Sequence, residues 1–187
     1  MRIFMAALFL VPLPALGQDT LATLMADYNG DGRFDRAELT RDLEEDSATL
    51  NIFLASENGA MKLAETAPAL VWVGSSLFGQ QPELRVTEHG SLQVTSMNEA
   101  TGPDRWHQTL TIAYRDNVFK LAGYTYEWNN VIDVSEDGKC DINLLTGKGE
   151  MTLGEARVIT AFRTNLRAKP IADWTPQIPF ECLIGLP

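Results

Sequence analysis

The chain holds two cysteines, two histidines and few basic residues, and each scarcity excludes something. With only His89 and His107, no multi-histidine metal site can be assembled. Lys and Arg number 15 against 25 Asp and Glu, giving a formal charge of −10. Such a balance argues against nucleic acid as a partner, because its phosphates need Lys and Arg. Beyond the opening residues no stretch approaches the roughly 20 apolar residues of a helical bilayer span. Enzyme signatures are missing too. There is no Gly-x-Ser-x-Gly elbow, phosphate loop, Cys-x-x-Cys pair or His-Glu-x-x-His.

What is present begins with an export signal. Met1-Arg2 precedes an apolar run from Ile3 to Leu16, and Ala15-Leu16-Gly17 offers small residues before Gln18. A basic start, an apolar stretch and a small-residue cut site make a secretory signal peptide over residues 1–17. Residues 18–187 are then expected to form a single β-rich domain, periplasmic or secreted, with no membrane span. In an exported chain Cys140 and Cys182 are expected to pair. Their bridge closes a loop of about 40 residues, worth about 4 kcal/mol of loop-closure entropy.

The fold class is expected to be mainly β, as antiparallel hairpins in one compact domain. Leu21 to Ala26 is apolar and reads as either strand or helix. Thr49 to Ala55 reads as a strand ending at the Glu57-Asn58-Gly59 turn, with a return from Met61 and a further candidate at Ala69 to Val73. Two hairpins can be given a register. Around Glu88-His89-Gly90, Val86 is set against Leu92 and Leu84 against Val94, with Gly90 in the left-handed conformation. Around Asp116-Asn117, Arg115 meets Val118, Tyr114 meets Phe119, Ile112 meets Leu121 and Leu110 meets Gly123. The opposite face then sets His107, Thr109 and Thr111 against Tyr126, Tyr124 and Ala122. Between Thr152 and Lys169, strand alternation competes with a capping box at Thr152 and Glu155, and strand is preferred. The proline-rich tail is expected to be an extended wrap pinned by Cys182.

One motif carries chemistry. Asp27, Asn29 and Asp31 recur at every second residue, followed by Gly32, Arg33, Asp35 and Glu38. In a curled loop that spacing points three side-chain oxygens at one centre. The Arg33 carbonyl adds a fourth and Asp35 a fifth, and hard oxygen donors in this number suit Ca²⁺. Residues 27–38 match every fixed position of the twelve-residue calcium-loop pattern, including Glu38 at its end. The plain alternative is an Asx-rich surface turn that binds nothing.

The loop resembles two families. An EF-hand would place helices on both sides and use Glu38 as a ligand, but only Gln18 to Ala26 precedes the loop and no good second hand follows. The stretch from about residue 20 to 65 is similar to an FG-GAP or VCBS-type repeat, in which a strand, Asp-x-Asn-Gly-Asp-Gly-x-x-Asp and a second strand follow one another. That resemblance implies calcium held by Asp27, Asn29, Asp31 and Asp35, with Glu38 on the next strand. One repeat makes no propeller, so none is expected.

Two weaker features remain. Asp133, Ser135, Asp137 and Asp141 echo the alternate spacing, although an ordinary turn before a strand explains them equally well. Tyr124, Tyr126 and Trp128 lie in a row that is either sheet packing or a surface for a glycan or protein partner. The function read from these features is an exported, non-catalytic, calcium-binding β domain, an interaction module in one version. The alternatives are a small exported hydrolase using acidic residues and an EF-hand calcium sensor.

Overall fold

A computed structural model describes residues 19–42 and 45–184, so the signal-peptide reading and Pro187 lie outside the described residues. Alternation of apolar and polar residues shapes the first half. β1 (Thr20–Ala26), β2 (Asp35–Asp42), β3 (Ser47–Ala55) and β4 (Met61–Trp72) form a four-stranded antiparallel meander. Ala37 and Leu39 on β2, and Ala48, Leu50 and Ile52 on β3, are buried. Period-two spacing puts these residues on one face of the sheet and leaves Arg36 and Glu38 on the other.

The second half is a larger sheet of eight antiparallel strands. β5 (Glu83–Val86), β6 (Leu92–Asn98), β7 (Asp104–Arg115), β8 (Val118–Asn130), β9 (Gly138–Asn143), β10 (Lys148–Leu153) and β11 (Val158–Arg163) lie side by side in chain order. β12 (Lys169–Pro170) returns to pair with β8. Neither sheet closes into a barrel or propeller. One buried cluster draws Leu39, Leu50 and Ile52 from the small sheet and Leu92, Leu110, Leu121 and Tyr124 from the large one. Trp72 of β4 and Trp106 of β7 meet at 5.5 Å between ring centroids, which ties the sheets together. No described helix is long and apolar enough to cross a membrane.

The hairpin registers were partly correct. Leu84 pairs with Val94 and Val86 with Leu92, and Gly90 has φ 77°. At the second hairpin Asp116 and Asn117 have φ 55° and 61°, as a two-residue turn with both central residues left-handed requires. Arg115–Val118, Tyr114–Phe119 and Ile112–Leu121 pair as expected. Beyond them the register shifts between Thr111 and Ile112, so Thr111, not Leu110, meets Gly123. Leu110 now pairs with Tyr124, Thr109 with Thr125 and His107 with Glu127. The cause is a β-bulge at Ala122, one extra residue that switches the side-chain face.

That switch decides the aromatic row. Tyr124, Tyr126 and Trp128 are buried, with Tyr124 wholly inside. The row packs into the core, which overturns the glycan-surface alternative. Burial pushes the Tyr124 and Tyr126 phenols up, Tyr126 to about 12, with the Asp104 charge adding to the effect at Tyr126. The segment after Thr152 is strand, turn and strand. Gly154 and Arg157 both take positive φ where the capping box had suggested a helix. The two sequence candidates at Met61 and Ala69 merge into the single strand β4, interrupted by a register irregularity and by Ala69 at φ 46°. The tail crosses to a short helix, α1 (Phe180–Leu183), and the Cys140–Cys182 disulfide pins it.

Candidate metal centre

The loop at residues 27–34 closes the hairpin between β1 and β2, whose last pair is Ala26 with Asp35. Gly30 and Gly32 have φ 79° and 85°. Nothing lies within 4 Å of a Cβ built at either, so backbone conformation rather than space favours glycine there. The curl closes on the carboxylate of Asp27. Its Oδ1 accepts from the Gly30 N–H at 2.7 Å and the Asp31 N–H at 3.1 Å, and its Oδ2 from the Gly32 N–H at 2.8 Å.

Asn29 and Asp31 sit together on this curl. Asn29 Oδ1 accepts from the Asp31 N–H at 3.0 Å, and Asn29 Nδ2 donates to Asp31 Oδ2 at 2.9 Å. Asp31 Oδ1 accepts from the Arg33 N–H at 3.0 Å. The Arg33 guanidinium folds back to pair with Asp31 Oδ2 at 2.5 Å, and its Nε donates to the Ala55 carbonyl at 3.1 Å. Desolvation alone would raise the Asp31 pKa. The hydrogen bonds from Asn29 and from the Arg33 N–H, with the Arg33 charge, outweigh it and hold the carboxyl below its ordinary value of 3.8.

Asp35 belongs to the sheet instead. It is fully buried, and its two oxygens accept from the backbone N–H groups of Tyr28 at 3.0 Å and Ala55 at 2.9 Å. One carboxylate thereby fastens the loop to the start of β2 and the end of β3. Tyr28 completes the anchor by donating its hydroxyl to the Leu24 carbonyl at 3.1 Å. Desolvation, and then the Asp35 charge, push its phenol above the usual value of 10, so it stays a neutral donor.

Glu38 stands apart. It lies on the opposite face of β2 from Asp35 and pairs with Arg36 at 3.2 Å, while Arg36 covers the Phe53 ring. Strands flank the loop on both sides, where an EF-hand needs helices. The structure therefore brings together Asp27, Asn29 and Asp31, turns Asp35 inward and leaves Glu38 elsewhere. Among the described residues no three His, Cys, Asp or Glu side chains cluster as a metal site. Sequence reasoning used only the carbonyl of Arg33 and missed its side chain, which supplies a positive charge from within the loop. It also missed the anchors at Tyr28 and Ala55. The turn between β5 and β6 abuts this loop: a Cβ at Gly90 would lie 3.7 Å from the Asp27 carbonyl.

In chemical type the donors fit a hard cation. They are exposed carboxylate and amide oxygens, with one lone pair left on Asp27 Oδ2, on Asn29 Oδ1 and on Asp31 Oδ1 after their internal bonds. The echo around Asp133 lacks this convergence. Asp133 caps Ser135, holding its own carboxyl below the usual range, while Asp137 accepts from the Asn130 N–H and Asp141 from Thr125. These are the bonds of an ordinary turn and strand start.

Carbon-detected NMR titration of the Asp31 carboxyl will give a midpoint below 3.8. A depressed carboxyl stabilises the fold above its unfolded pKa, and that contribution is lost as pH falls through the lowered midpoint. Arg33→Gln removes the paired charge and will move the midpoint upward. An unchanged midpoint in that variant would show that the Arg33 contact is not maintained in solution.

No protein-family model, curated protein or solved structure matches the chain.

Proposed function

We propose that this protein is an exported, non-catalytic β domain that binds Ca²⁺ at the 27–35 loop. One observation supports the reading above the others: the side-chain oxygens of Asp27, Asn29 and Asp31 gather in one exposed curl shaped by two left-handed glycines. Asp31 is ionised there, and the Arg33 guanidinium neutralises it in the absence of a metal. A bound cation would take that electrostatic role, held by Asp27, Asn29 and Asp31. Asp35 would support them from beneath. The disulfide is consistent with an oxidising compartment, and Gly30, Asp31 and Gly32 of the curl are exposed to solvent.

Calorimetry on chelator-treated protein tests the proposal. Calcium modules outside the cell bind at about 0.1–1 mM. At ten times Kd, binding to the folded state alone adds about 1.4 kcal/mol, a rise of roughly 3–6 °C in Tm for a chain of this size. Asp31→Ala will remove most of that rise. Glu38→Gln will leave it intact, because Glu38 faces Arg36 on the other side of β2. Wild-type protein with no heat and no melting shift at millimolar calcium would reduce the loop to an Asx turn and end the proposal. Turnover in a broad hydrolase screen would overturn its non-catalytic part.

A further inference from the structure

Among the described residues, three of the four sheet edges are blunted. β1 has a register shift between Thr20 and Ala22 and lies beside β5, which is itself only four residues long. β4 carries Pro68, register irregularities and Ala69 at φ 46°. Bulges, proline, short length and covering elements are the devices by which edge strands avoid pairing with other chains. β11, the last strand of the large sheet, has none of them. It pairs with β10 from Val158 to Arg163 without a shift, and five of its six residues are exposed. Val158 is 60% and Ile159 67% exposed. Phe162 anchors the strand by lying over Gly149, where a Cβ would come within 2.3 Å of its ring.

This edge is basic in a chain of formal charge −10. Arg157 precedes the strand, Arg163 ends it, and Lys148 of β10 pairs with Arg163 in register. Among the described residues none of the three forms an ion pair, although Glu150 lies opposite Ala161 and Glu155 occupies the turn. Val158, Thr160 and Phe162 share the face of Gly149 and the buried Met151, while Ile159, Ala161 and Arg163 share the other. A second copy of the chain suits this edge poorly. A two-fold antiparallel pairing that keeps both faces sets Arg163 opposite either Arg157 or Ile159, and neither supplies a carboxylate.

We propose that β11 docks an extended, acidic segment of another protein as an added strand. Backbone hydrogen bonds continue the sheet, carboxylates at the two ends of the segment meet Arg157 and Arg163, and β-branched residues between them cover Val158 and Ile159. The two cations specify the partner, because main-chain pairing by itself carries little sequence information.

The test uses the mature chain in excess chelator, which keeps it independent of the calcium loop. The probe is the acetylated, amidated heptapeptide Glu-Val-Thr-Val-Thr-Val-Glu, which reads the same in both strand directions. NMR titration should shift the amides of Val158 to Arg163, and binding should slow their exchange with solvent. Replacing both Glu residues of the peptide with Lys should weaken binding by about fivefold, as should Arg157→Glu combined with Arg163→Glu in the protein. Pairing that double variant with the Lys peptide should restore affinity, which a variant that had lost its fold could not do. No shift at millimolar peptide would overturn the proposal. So would equal binding of the Glu and Lys peptides, shifts confined to β4 or β5, or dimerisation of the free chain through β11.

Discussion

Replacing Cys140 and Cys182 together with alanine will leave both sheets in place but lower the unfolding free energy by about 4 kcal/mol. The two cysteines are separated by 42 residues, with Cα atoms 5.5 Å apart. Cutting the link frees the unfolded chain to explore conformations that the closed loop forbids. In a chain of this size the loss corresponds to roughly 8–16 °C in Tm. The folded state has other anchors for the tail, which is why the fold itself should survive. β12 pairs with β8, Ile171 is wholly buried, and Trp174 packs 5.9 Å from Tyr124 while Lys169 lies over its ring. Both cysteines are fully buried, so quantitative labelling of unfolded, unreduced wild type should find no free thiol. Urea denaturation of the double variant is the measurement. A midpoint unchanged from wild type would show that the bridge adds no stability.

Why the sheets were legible, and where legibility stopped, is clearest at the β7–β8 hairpin. Asp116-Asn117 announces its turn, and alternation carries the register outward for three correct pairs. Counting by two then fails at Ala122. A signal for the bulge was present in the residues. Phe119 and Leu121 occupy odd positions, while Tyr124, Tyr126 and Trp128 occupy even ones, yet all five are buried. Both sets can face one core only if an extra residue is inserted between Leu121 and Tyr124. β4 has a similar break, and Pro68 marks it, since proline cannot donate to a ladder.

The candidate site was legible in its spacing but not in its divisions of labour. Alternate positions put Asp27, Asn29 and Asp31 on one curl. The same pattern also nominated Asp35 and Glu38, and sequence alone could not separate them. The start of β2 does so. From Asp35 onward the chain is extended, so Asp35, Ala37 and Leu39 turn inward while Arg36 and Glu38 turn out. Ion pairing of Arg33 with Asp31 is likewise a matter of tertiary position, because the guanidinium is held by the end of β3 at Ala55.

That division predicts a sharp contrast between two aspartates of one motif. Asp35→Ala will destabilise the protein by about 3–5 kcal/mol even in excess chelator. It removes the carboxylate oxygens that accept from the Tyr28 and Ala55 N–H groups, and each buried N–H left bare costs about 1–3 kcal/mol, on top of a lost hydrogen bond to a charged group. Roughly 10 °C in Tm should follow. Asp35→Asn keeps one acceptor oxygen but sets an amide NH₂ against the other N–H, so its loss should be intermediate. Asp31→Ala sits on the exposed curl and should change stability little in chelator, yet abolish the calcium response. Thermal melts of the three variants, each with chelator and with millimolar calcium, separate the roles. If Asp35→Ala melts like wild type in chelator, the buried carboxylate is not the anchor that its two hydrogen bonds describe. If Asp31→Ala loses as much stability in chelator as Asp35→Ala, the curl itself holds the sheet edge together, and the separation of fold from binding within this loop fails.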